Sequence, residues 1–574
     1  MNGKINKIKT WQALTVIAIV GFAAYFDGLR NQFLGDDLPQ IVNSVPVHSL
    51  ANIRLFFEGG TFYIGSGLAP MYGVYFRPLM VTCYSLLYTM FGPVPLAFHL
   101  FQLVLCIGSS FFLYLIFRYS FKPALALFLA IVFLVHPLNS EVAFEISALQ
   151  DVLYFFFGIL SLYLLLRFKS RRCLLFVALC LFLSLLAKET GMLFVAVDLL
   201  YLIWYNKKRV LSFVLTMVIP IAVYVFLRVN AVGLLAAPHS APIDNLSLSQ
   251  RLMTAPSIPL FYVSKILFPW RLASGYYWVF SKYSVTHFLL PLIADLTLIV
   301  VIIYVARLIR SKASKATYRS YVFFAIWTAL GFLLLLQVVP LDLTACDIWF
   351  YFPMAGILGM IGNVLSVFLP KLNHKQNIVL TVMVIIIFGL GIRTAARGPD
   401  WSSTINLMQN DLKASSEDFN ADNYIATSLA QQGKLSSALT YAKRAVQIYP
   451  TSSSYNTLGD IYLNSHDYWR AETTYVAGLK LRVDPLVDDQ LYQNAAGAML
   501  LNKNMNGTQQ FIKKALKKYP TDPTLWMYLA FSEYKDGKIA LAKQSISVAY
   551  NYYPSTAVTS AYQTILNNRP VNLQ

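Results

Sequence analysis

Charged residues are scarce in this chain of 574 residues: 13% are Asp, Glu, Lys or Arg, whereas 57% are hydrophobic. A soluble protein of this size needs a more polar surface, so the composition excludes a soluble chain and indicates several membrane spans. The hydrophobicity ends near residue 394, and the rest has the composition of a soluble domain. The sequence therefore predicts two domains, a membrane domain over 1–398 and a soluble domain over 402–574.

Cysteine is also rare, and the five residues lie in or beside apolar stretches. No CxxC pair and no His at metal-ligand spacing accompanies them, so we expect buried thiols rather than disulfides or a zinc site. The soluble part has no basic face interleaved with aromatics, which argues against nucleic-acid binding despite the net charge of +19. The pattern identifies no cofactor, and it leaves a divalent metal ion open.

Eleven apolar runs have the length of a membrane span. They lie near 11–27, 97–117, 123–136, 150–166, 173–187, 190–205, 210–229, 286–306, 319–339, 348–369 and 376–392. The first run follows a basic N-terminus and has no small-x-small cleavage site after it. We therefore expect an uncleaved span.

One further segment, 78–92, is short and is bounded by prolines. If it lies at the membrane surface and Lys4, Lys7 and Lys9 are inside, nearly every basic cluster falls on the N-terminal side, as the positive-inside rule requires. This predicts about eleven transmembrane helices, with a cytoplasmic N-terminus and an extracytoplasmic soluble domain. The membrane is either the plasma membrane or that of the endoplasmic reticulum.

In this topology, polar residues at the ends of several spans share the outer face. Asp36 and Asp37 follow the first span. An acidic pair in a loop is often a helix cap or a turn, but a carboxylate beside a bilayer can also act as a general base on a hydroxyl. Four more ionisable residues share one outer turn: His136, Glu141, Glu145 and Asp151. They can place substrate hydroxyls, and their spacing matches no metal motif such as HExxH.

Three cations on the outer face run against the positive-inside rule: Arg77, Lys188 and Arg228. They can hold the phosphate of an anionic, lipid-linked substrate. They can equally pair with carboxylates of the same face, among them Asp36, Glu141 and Asp347. Lys188 and Glu189 can also form a mutual ion pair. The sequence leaves these interpretations open.

The soluble domain repeats from about residue 420. Small residues and a closing proline recur about every 35 residues, a period typical of helical hairpins. The residues that mark the copies are Ala438, Ala442, Ala445 and Pro450, then Ala471, Tyr475, Gly478 and Pro485, then Ala515 and Pro520, then Trp526, Ala530, Ala542, Ala549 and Pro554. This pattern resembles about four tetratricopeptide repeats, with a degenerate third copy. Such an array forms an α-solenoid whose concave surface can bind an extended peptide.

The membrane domain resembles the GT-C glycosyltransferases, and the whole chain resembles the transmembrane and tetratricopeptide repeat O-mannosyltransferase-like family. The matching stretches are Phe33 to Asp37, Tyr75 to Leu79, Phe98 to Leu100, His136-Pro137 with Glu141 and Asp151, Ala187 to Glu189, and Asp347 to Pro353. The chain departs from the family at Leu149 and at Cys346-Asp347, where Arg and Glu-Arg are common.

The resemblance implies an all-α GT-C-like membrane domain and an inverting transfer of a sugar such as mannose. The donor would be a polyprenyl-phosphate sugar and the acceptor a hydroxyl of a protein or glycan. Asp36 or Asp37 would be the catalytic base, the outer-face cations would lie near the donor phosphate, and the repeats would recruit the acceptor or another protein. The alternative is a non-catalytic membrane scaffold whose repeats assemble an outer-surface complex.

Overall fold

The computed structural model describes residues 8–62, 71, 73–233, 241–368, 376–481 and 487–572. Within these residues every regular element is a helix, and the one β pairing is an isolated bridge between Tyr276 and Ala345. The predicted all-α fold is confirmed. The chain divides into two compact units, Met1–Ser416 and Glu417–Gln574. Lys4, Lys7 and Pro485, which the sequence analysis used, lie outside the described residues.

The first unit contains sixteen α-helices in its described residues. They are α1 (Thr10–Tyr25), α2 (Pro78–Phe91), α3 (Pro95–Phe117), α4 (Pro123–Val135), α5 (Glu141–Phe144), α6 (Leu149–Arg167), α7 (Cys173–Ala187), α8 (Met192–Tyr205), α9 (Val210–Val232), α10 (Leu248–Thr254), α11 (Ser257–Leu267), α12 (Leu290–Lys312), α13 (Lys315–Leu335), α14 (Tyr351–Phe368), α15 (Gln376–Ala395) and α16 (Thr404–Ala414). Short 3-10 helices join them at Asp27–Arg30, Val45–His48, Leu50–Phe57, Pro137–Asn139, Ile146–Ala148, Glu189–Gly191, Lys207–Arg209, Asp347–Phe350 and Gly398–Ser402, and π-helical turns lie at Leu38–Val42 and Val285–Leu289.

Each of the eleven predicted spans overlaps one of these helices. In the described part of the chain, seven helices are long and apolar enough to cross a membrane, and an eighth is added if Pro123–Val135 and Pro137–Phe144, bent by 53°, count as one span. The bend falls at Pro137, whose ring prevents a continuous helix. The chain is therefore a membrane protein, while the count of eleven crossings and the orientation stay predictions.

Helix α2 is the segment on which the predicted topology depends. Its 14 residues span about 21 Å, less than the ~30 Å hydrocarbon core of a bilayer. It packs along the 3-10 helices Val45–His48 and Leu50–Phe57 of the first loop. The Leu50 N–H donates to the hydroxyl of Thr89 at 3.1 Å, which ties the two together. The helix also packs on α7, so the surface position of the segment 78–92 stays a prediction.

An aromatic core holds the membrane helices together. Its rings contact one another at centroid separations of 4.6–5.7 Å across α4, α6, α8, α13 and α14: Phe133, Phe155, Phe194, Trp327, Tyr351 and Phe352. Gly158 allows the close approach of α6 and α8, because a Cβ atom there would lie 2.1 Å from the ring of Phe194. The loops that carry the polar residues of the predicted outer face start from the ends of these packed helices.

The second unit is a stack of helical hairpins. Its helices are α17 (Phe419–Gln431), α18 (Leu435–Ile448), α19 (Ser452–Asn464), α20 (Tyr468–Gly478), α21 (Asp488–Leu501), α22 (Met505–Lys518), α23 (Pro523–Lys535), α24 (Ile539–Tyr552) and α25 (Thr556–Leu566). The alanines that mark the repeats, such as Ala438, Ala471 and Ala542, are fully buried where paired helices meet. A Cβ atom at Gly459 would lie 2.4 Å from the ring of Tyr475. Four hairpins and a terminal helix confirm the predicted tetratricopeptide-repeat solenoid.

Candidate functional site

Polar side chains from five loops and helix ends gather in the first unit. We call this group the first-loop site and define it by Asp36, Asp37, Arg77, Glu145, Asp151, Lys188, Glu189 and Arg228. The two aspartates follow α1, Arg77 directly precedes α2, and Glu145 follows α5. Asp151 lies in the first turn of α6, Lys188 and Glu189 connect α7 to α8, and Arg228 lies in the last turns of α9. Eight of the eleven side chains that the sequence analysis selected are therefore in one group.

The two adjacent aspartates have different environments. Asp37 is 3% exposed, and its two carboxylate oxygens accept the backbone N–H groups of Leu34 at 2.9 Å and of Ser147 at 2.8 Å. Burial raises its pKa to about 7, although these hydrogen bonds lower it. Asp37 thus fixes the turn 34–37 against the segment 145–148, which is the structural interpretation that the sequence left open for this pair.

Asp36 is partly exposed, and its carboxylate forms no hydrogen bond or ion pair with any described residue. Burial raises its pKa to about 6, Arg77 acts to lower it and Asp342 acts to raise it. A carboxyl with this pKa is ionised at neutral pH and is still basic enough to accept a proton from a positioned hydroxyl. Of the two aspartates, Asp36 has the geometry of a general base.

Arg77 is held in place by stacking rather than by an ion pair. Its guanidinium lies 4.2 Å from the ring centroid of Tyr75, and the Tyr75 hydroxyl donates to Asp342 at 2.7 Å. Its buried Nε atom has no hydrogen-bond partner, and no carboxylate of the described residues lies within 4.0 Å. A guanidinium that is oriented but unpaired is suited to bind a phosphate or carboxylate.

The other two cations differ from each other. Lys188 is almost fully buried and pairs with both oxygens of Asp151, at 2.7 and 3.0 Å. It therefore pairs with Asp151 rather than with its neighbour Glu189. Arg228 reaches Glu189 only at 4.0 Å, and its Nη1 atom is buried without a hydrogen bond. Lys188 is structurally committed, whereas Arg228 is available to a ligand.

Glu189 lies among these cations. Burial acts to raise its pKa, but Arg77, Lys188 and Arg228 together outweigh burial and hold the pKa below its ordinary value. Glu189 is therefore ionised at neutral pH. Its charge balances part of the positive charge of Arg77 and Arg228, and Arg77 is also the cation that lowers the pKa of Asp36.

The remaining three selected residues are elsewhere. His136 is buried and uses both ring nitrogens: Nδ1 accepts the Leu138 N–H at 3.2 Å, and Nε2 lies 3.1 Å from the Ile266 carbonyl. These contacts require the Nε2–H tautomer, which donates to that carbonyl. His136 thus joins the bend after α4 to α11, and it has no ring nitrogen left for a substrate.

Glu141 and Asp347 belong to a second group of charged residues. We call it the Arg397 cluster and define it by Glu141, Asp347, Arg397 and Asp411. Arg397 is fully buried, and its Nη1 donates to the Pro137 carbonyl at 3.2 Å, the Ser140 hydroxyl at 3.2 Å and Asp347 at 3.4 Å. Asp411 accepts from the backbone and hydroxyl of Ser274. Burial raises the pKa of Asp411 to about 6. Arg397 thus joins the segment after α15 to the segments 137–140 and 347–350, and Asp411 joins α16 to Ser274.

Sequence reasoning missed Arg397 as the partner of Asp347 and missed Ser147 as the donor to Asp37. Arg397 carried one signal, because the predicted topology puts it at the outer end of the last span, against the positive-inside rule. Ser147 carried none, since a serine in a short turn is common. Within the described residues, no group of three or more His, Cys, Asp or Glu side chains is arranged to hold a metal ion.

Fold and site define a helical membrane protein with a tetratricopeptide-repeat tail and with an unpaired carboxylate near an unpaired arginine, Asp36 and Arg77. No protein-family model matches the chain. Over 205 residues it is 29% identical to Protein O-mannosyl-transferase TMTC1 of Mus musculus and of Homo sapiens. The matched stretch is 33% of this chain and 22% and 23% of those two proteins, so the chain spans less than a quarter of the length of the curated relatives it matches.

A solved structure, the crystal structure of the P58(IPK) TPR domain, also matches the chain. The TM-score is 0.19 and the sequence identity 10%, over 71% of this chain and 96% of that one.

Proposed function

We propose that this protein is a glycosyltransferase that moves a sugar from a polyprenyl-phosphate donor to an acceptor hydroxyl at the extracytoplasmic face of a membrane. Mannose is the sugar that the name of the relatives suggests. A donor anchored by a polyprenyl chain stays in the bilayer, so its phosphate is at the level of the helix ends. The first-loop site draws its residues from such helix ends.

The observation that carries this proposal is that an unpaired carboxylate and an unpaired guanidinium lie near each other. Asp36 offers an unpaired, partly exposed carboxylate, and Arg77 offers an oriented, unpaired guanidinium close enough to affect the pKa of Asp36. Sugar transfer from a phosphate needs both: a base for the acceptor proton and a cation for the charge on the leaving phosphate.

The reaction follows from these roles. The Asp36 carboxylate accepts the proton of the acceptor hydroxyl as its oxygen bonds to the anomeric carbon. The bond between that carbon and the phosphate oxygen breaks on the opposite face, and the phosphate leaves with the electron pair. This single displacement inverts the configuration of the sugar. Arg77 and Arg228 stabilise the phosphate as its negative charge grows.

The solenoid formed by α17–α25 would recruit the acceptor. Stacked helical hairpins present a continuous surface that suits an extended polypeptide. A protein acceptor fits this surface better than a lipid or a free glycan, because the repeats would bind the chain that carries the hydroxyl. Recruitment raises the local concentration of acceptor without adding a catalytic group.

A cell-based comparison tests the proposal. Deletion cells are complemented with wild type, Asp36→Asn or the control Glu58→Gln, which alters an exposed carboxylate in the same loop. Mass spectrometry of their glycoproteins should show hexose lost in the deletion, restored by wild type and the control, and not restored by Asp36→Asn. Unchanged glycosylation in both the deletion and Asp36→Asn cells contradicts the enzymatic function. A scaffold instead predicts that Asp36→Asn is silent while removal of 417–574 abolishes function.

A further inference from the structure

Ser147 joins two carboxyl groups of the first-loop site. Its backbone N–H donates to Asp37 at 2.8 Å, and its hydroxyl donates to Oε1 of Glu145 at 2.9 Å. Ser147 itself is 5% exposed. One buried serine therefore fixes the positions of Asp37 and Glu145 relative to each other.

The backbone that carries Glu145 is also fixed. Gln102, buried in α3, donates from Nε2 to the carbonyls of Val142 and Glu145, both at 2.6 Å. The Glu145 N–H donates to the Glu141 carbonyl at 2.9 Å. A side chain anchored in this way is preorganised, which is what a binding or catalytic group needs.

Glu145 is partly exposed, and only its Oε1 has a hydrogen-bond partner among the described residues. Oε2 is therefore free to meet a ligand. Three carboxyl groups, Asp36, Asp37 and Glu145, lie close together, and the nearby cation Arg77 acts mainly on Asp36 and Glu189. Like charges this close do not all ionise at neutral pH.

We propose that Glu145 is a further residue of the transfer site that stays protonated at neutral pH and donates a hydrogen bond from Oε2 to the bound sugar or acceptor. This inference rests on the proposed function. The division of labour is then clear: Asp36 is the ionised base, Asp37 holds the loop, and Glu145 is the neutral donor.

The charges that face Glu145 agree with this role. Burial, with smaller contributions from Asp37, Asp36 and Asp151, raises its pKa to about 8, although the hydrogen bond from the hydroxyl of Ser147 acts in the opposite direction. The pKa of Asp36, by contrast, is about 6 because Arg77 offsets part of the effect of burial. A pair of carboxyl groups with separated pKa values can supply an acid and a base at one pH.

The test compares Glu145→Gln with Glu145→Ala in the full-length chain, with Glu58→Gln as the exposed control. Gln preserves the acceptor for Ser147 and a neutral donor at the position of Oε2, whereas Ala removes both. Membranes from deletion cells that express each variant receive radiolabelled polyprenyl-phosphate mannose, and transfer to membrane protein is counted. Glu145→Gln should keep activity within about threefold of wild type, and Glu145→Ala should lose 10²-fold or more, the range of one positioned polar group.

The pH profile provides a second readout that a merely structural role would not change. Wild-type activity should fall above about pH 8, where Glu145 ionises. Glu145→Gln should lose this alkaline decline and keep the acid limb. If Glu145→Gln is as inactive as Glu145→Ala, or if Glu145→Ala is as active as wild type, the inference is wrong.

Infrared spectroscopy separates this inference from the proposed function. In purified protein at pH 7, the difference spectrum between wild type and Glu145→Gln should contain the C=O band of a protonated carboxylic acid, and the difference spectrum with Glu58→Gln should not. A carboxylate band in its place overturns the inference even if transfer is observed. If the protonated band is present but the wild-type chain transfers no sugar, the proposed function is wrong. The role of Glu145 in sugar transfer is then wrong as well.

Discussion

The first-loop site and the Arg397 cluster both gather acidic and basic side chains in the first unit, yet they differ in how those charges are satisfied. In the Arg397 cluster, Arg397 and Asp347 are completely buried and contact each other at 3.4 Å. In the first-loop site, Asp36 is partly exposed and unpaired, and Arg77 stacks on Tyr75 without an ion pair. Arg397 and Asp347 leave some buried polar atoms without a hydrogen bond among the described residues, but their charges pair with each other, whereas those of Asp36 and Arg77 have no ion pair.

This difference separates structure from chemistry. An ion pair shut away from water is costly to break and offers nothing to a substrate. Charged groups without a fixed partner at the membrane surface are also costly, because they are partly desolvated. Such groups usually mark a functional site. We therefore expect substitutions in the first-loop site to change activity, and substitutions in the Arg397 cluster to change stability.

The largest effect is expected for Asp36→Asn. The amide cannot accept the acceptor proton, so the transfer rate should fall by about 10²–10⁴-fold, the usual contribution of a general base. The melting temperature should stay that of wild type, because Asp36 has no partner to lose. Transfer from radiolabelled donor and thermal unfolding, measured on the same preparation, check both parts. If Asp36→Asn is stable and transfers sugar at the wild-type rate, the first-loop site does not differ from the Arg397 cluster in the way we propose.

The next effect concerns stability. Arg397→Met leaves Asp347 buried without its partner, so the free energy of unfolding should fall by about 3–5 kcal/mol. Arg393→Met is the matched control, since Arg393 lies one turn earlier on α15 and is partly exposed over Trp270. Thermal unfolding of the detergent-solubilised variants measures the difference. If the two variants have equal melting temperatures, the Arg397 cluster does not have the structural role that we assign to it.

A smaller effect is expected for Arg77→Lys. Lysine keeps the charge but loses the planar fork and the stacking on Tyr75, so kcat/KM for the donor should fall about tenfold, or 1.4 kcal/mol. Lys188→Arg at the closed ion pair with Asp151 provides the comparison, because its effect should appear in thermal stability rather than in donor affinity. Kinetics with varied donor concentration distinguish the two. A larger loss of donor affinity for Lys188→Arg reverses their roles.

The smallest effect is the dependence of wild-type activity on pH. Asp36 must be ionised to act as a base, and its raised pKa of about 6 places the gain in activity between pH 5 and 7. Acidification below this window protonates Asp36 and reduces the rate. Because Arg77 lowers the pKa of Asp36, Arg77→Met should shift this acid limb to higher pH. An acid limb that does not move in Arg77→Met contradicts the proximity of the two groups.

The sequence predicted the fold well because its signals are local. Hydrophobic length identified helices at all eleven predicted spans, and the spacing of Ala438, Ala442 and Ala445 identified the hairpins of the solenoid. Membrane helices and repeats depend on patterns within about 35 residues, so one chain is enough to recognise them.

The site was harder to predict, since its contacts join residues far apart in the chain. Asp37 contacts Ser147, Asp347 contacts Arg397, and Lys188 contacts Asp151, none of which a local pattern reveals. Charge asymmetry grouped these residue types on one predicted face. It could not tell Asp36 from Asp37, because only the positions of the Leu34 and Ser147 amides make that distinction.

The most direct test of the difference between the first-loop site and the Arg397 cluster compares two variants, Asp36→Asn and Asp347→Asn. The quantity to measure is the transfer rate per folded molecule. We predict that Asp36→Asn yields as much folded protein as wild type and transfers sugar about 10²–10⁴-fold more slowly. Asp347→Asn should yield less folded protein, and each folded molecule should transfer at close to the wild-type rate. The opposite result, an active Asp36→Asn and a stable but inactive Asp347→Asn, would contradict the account.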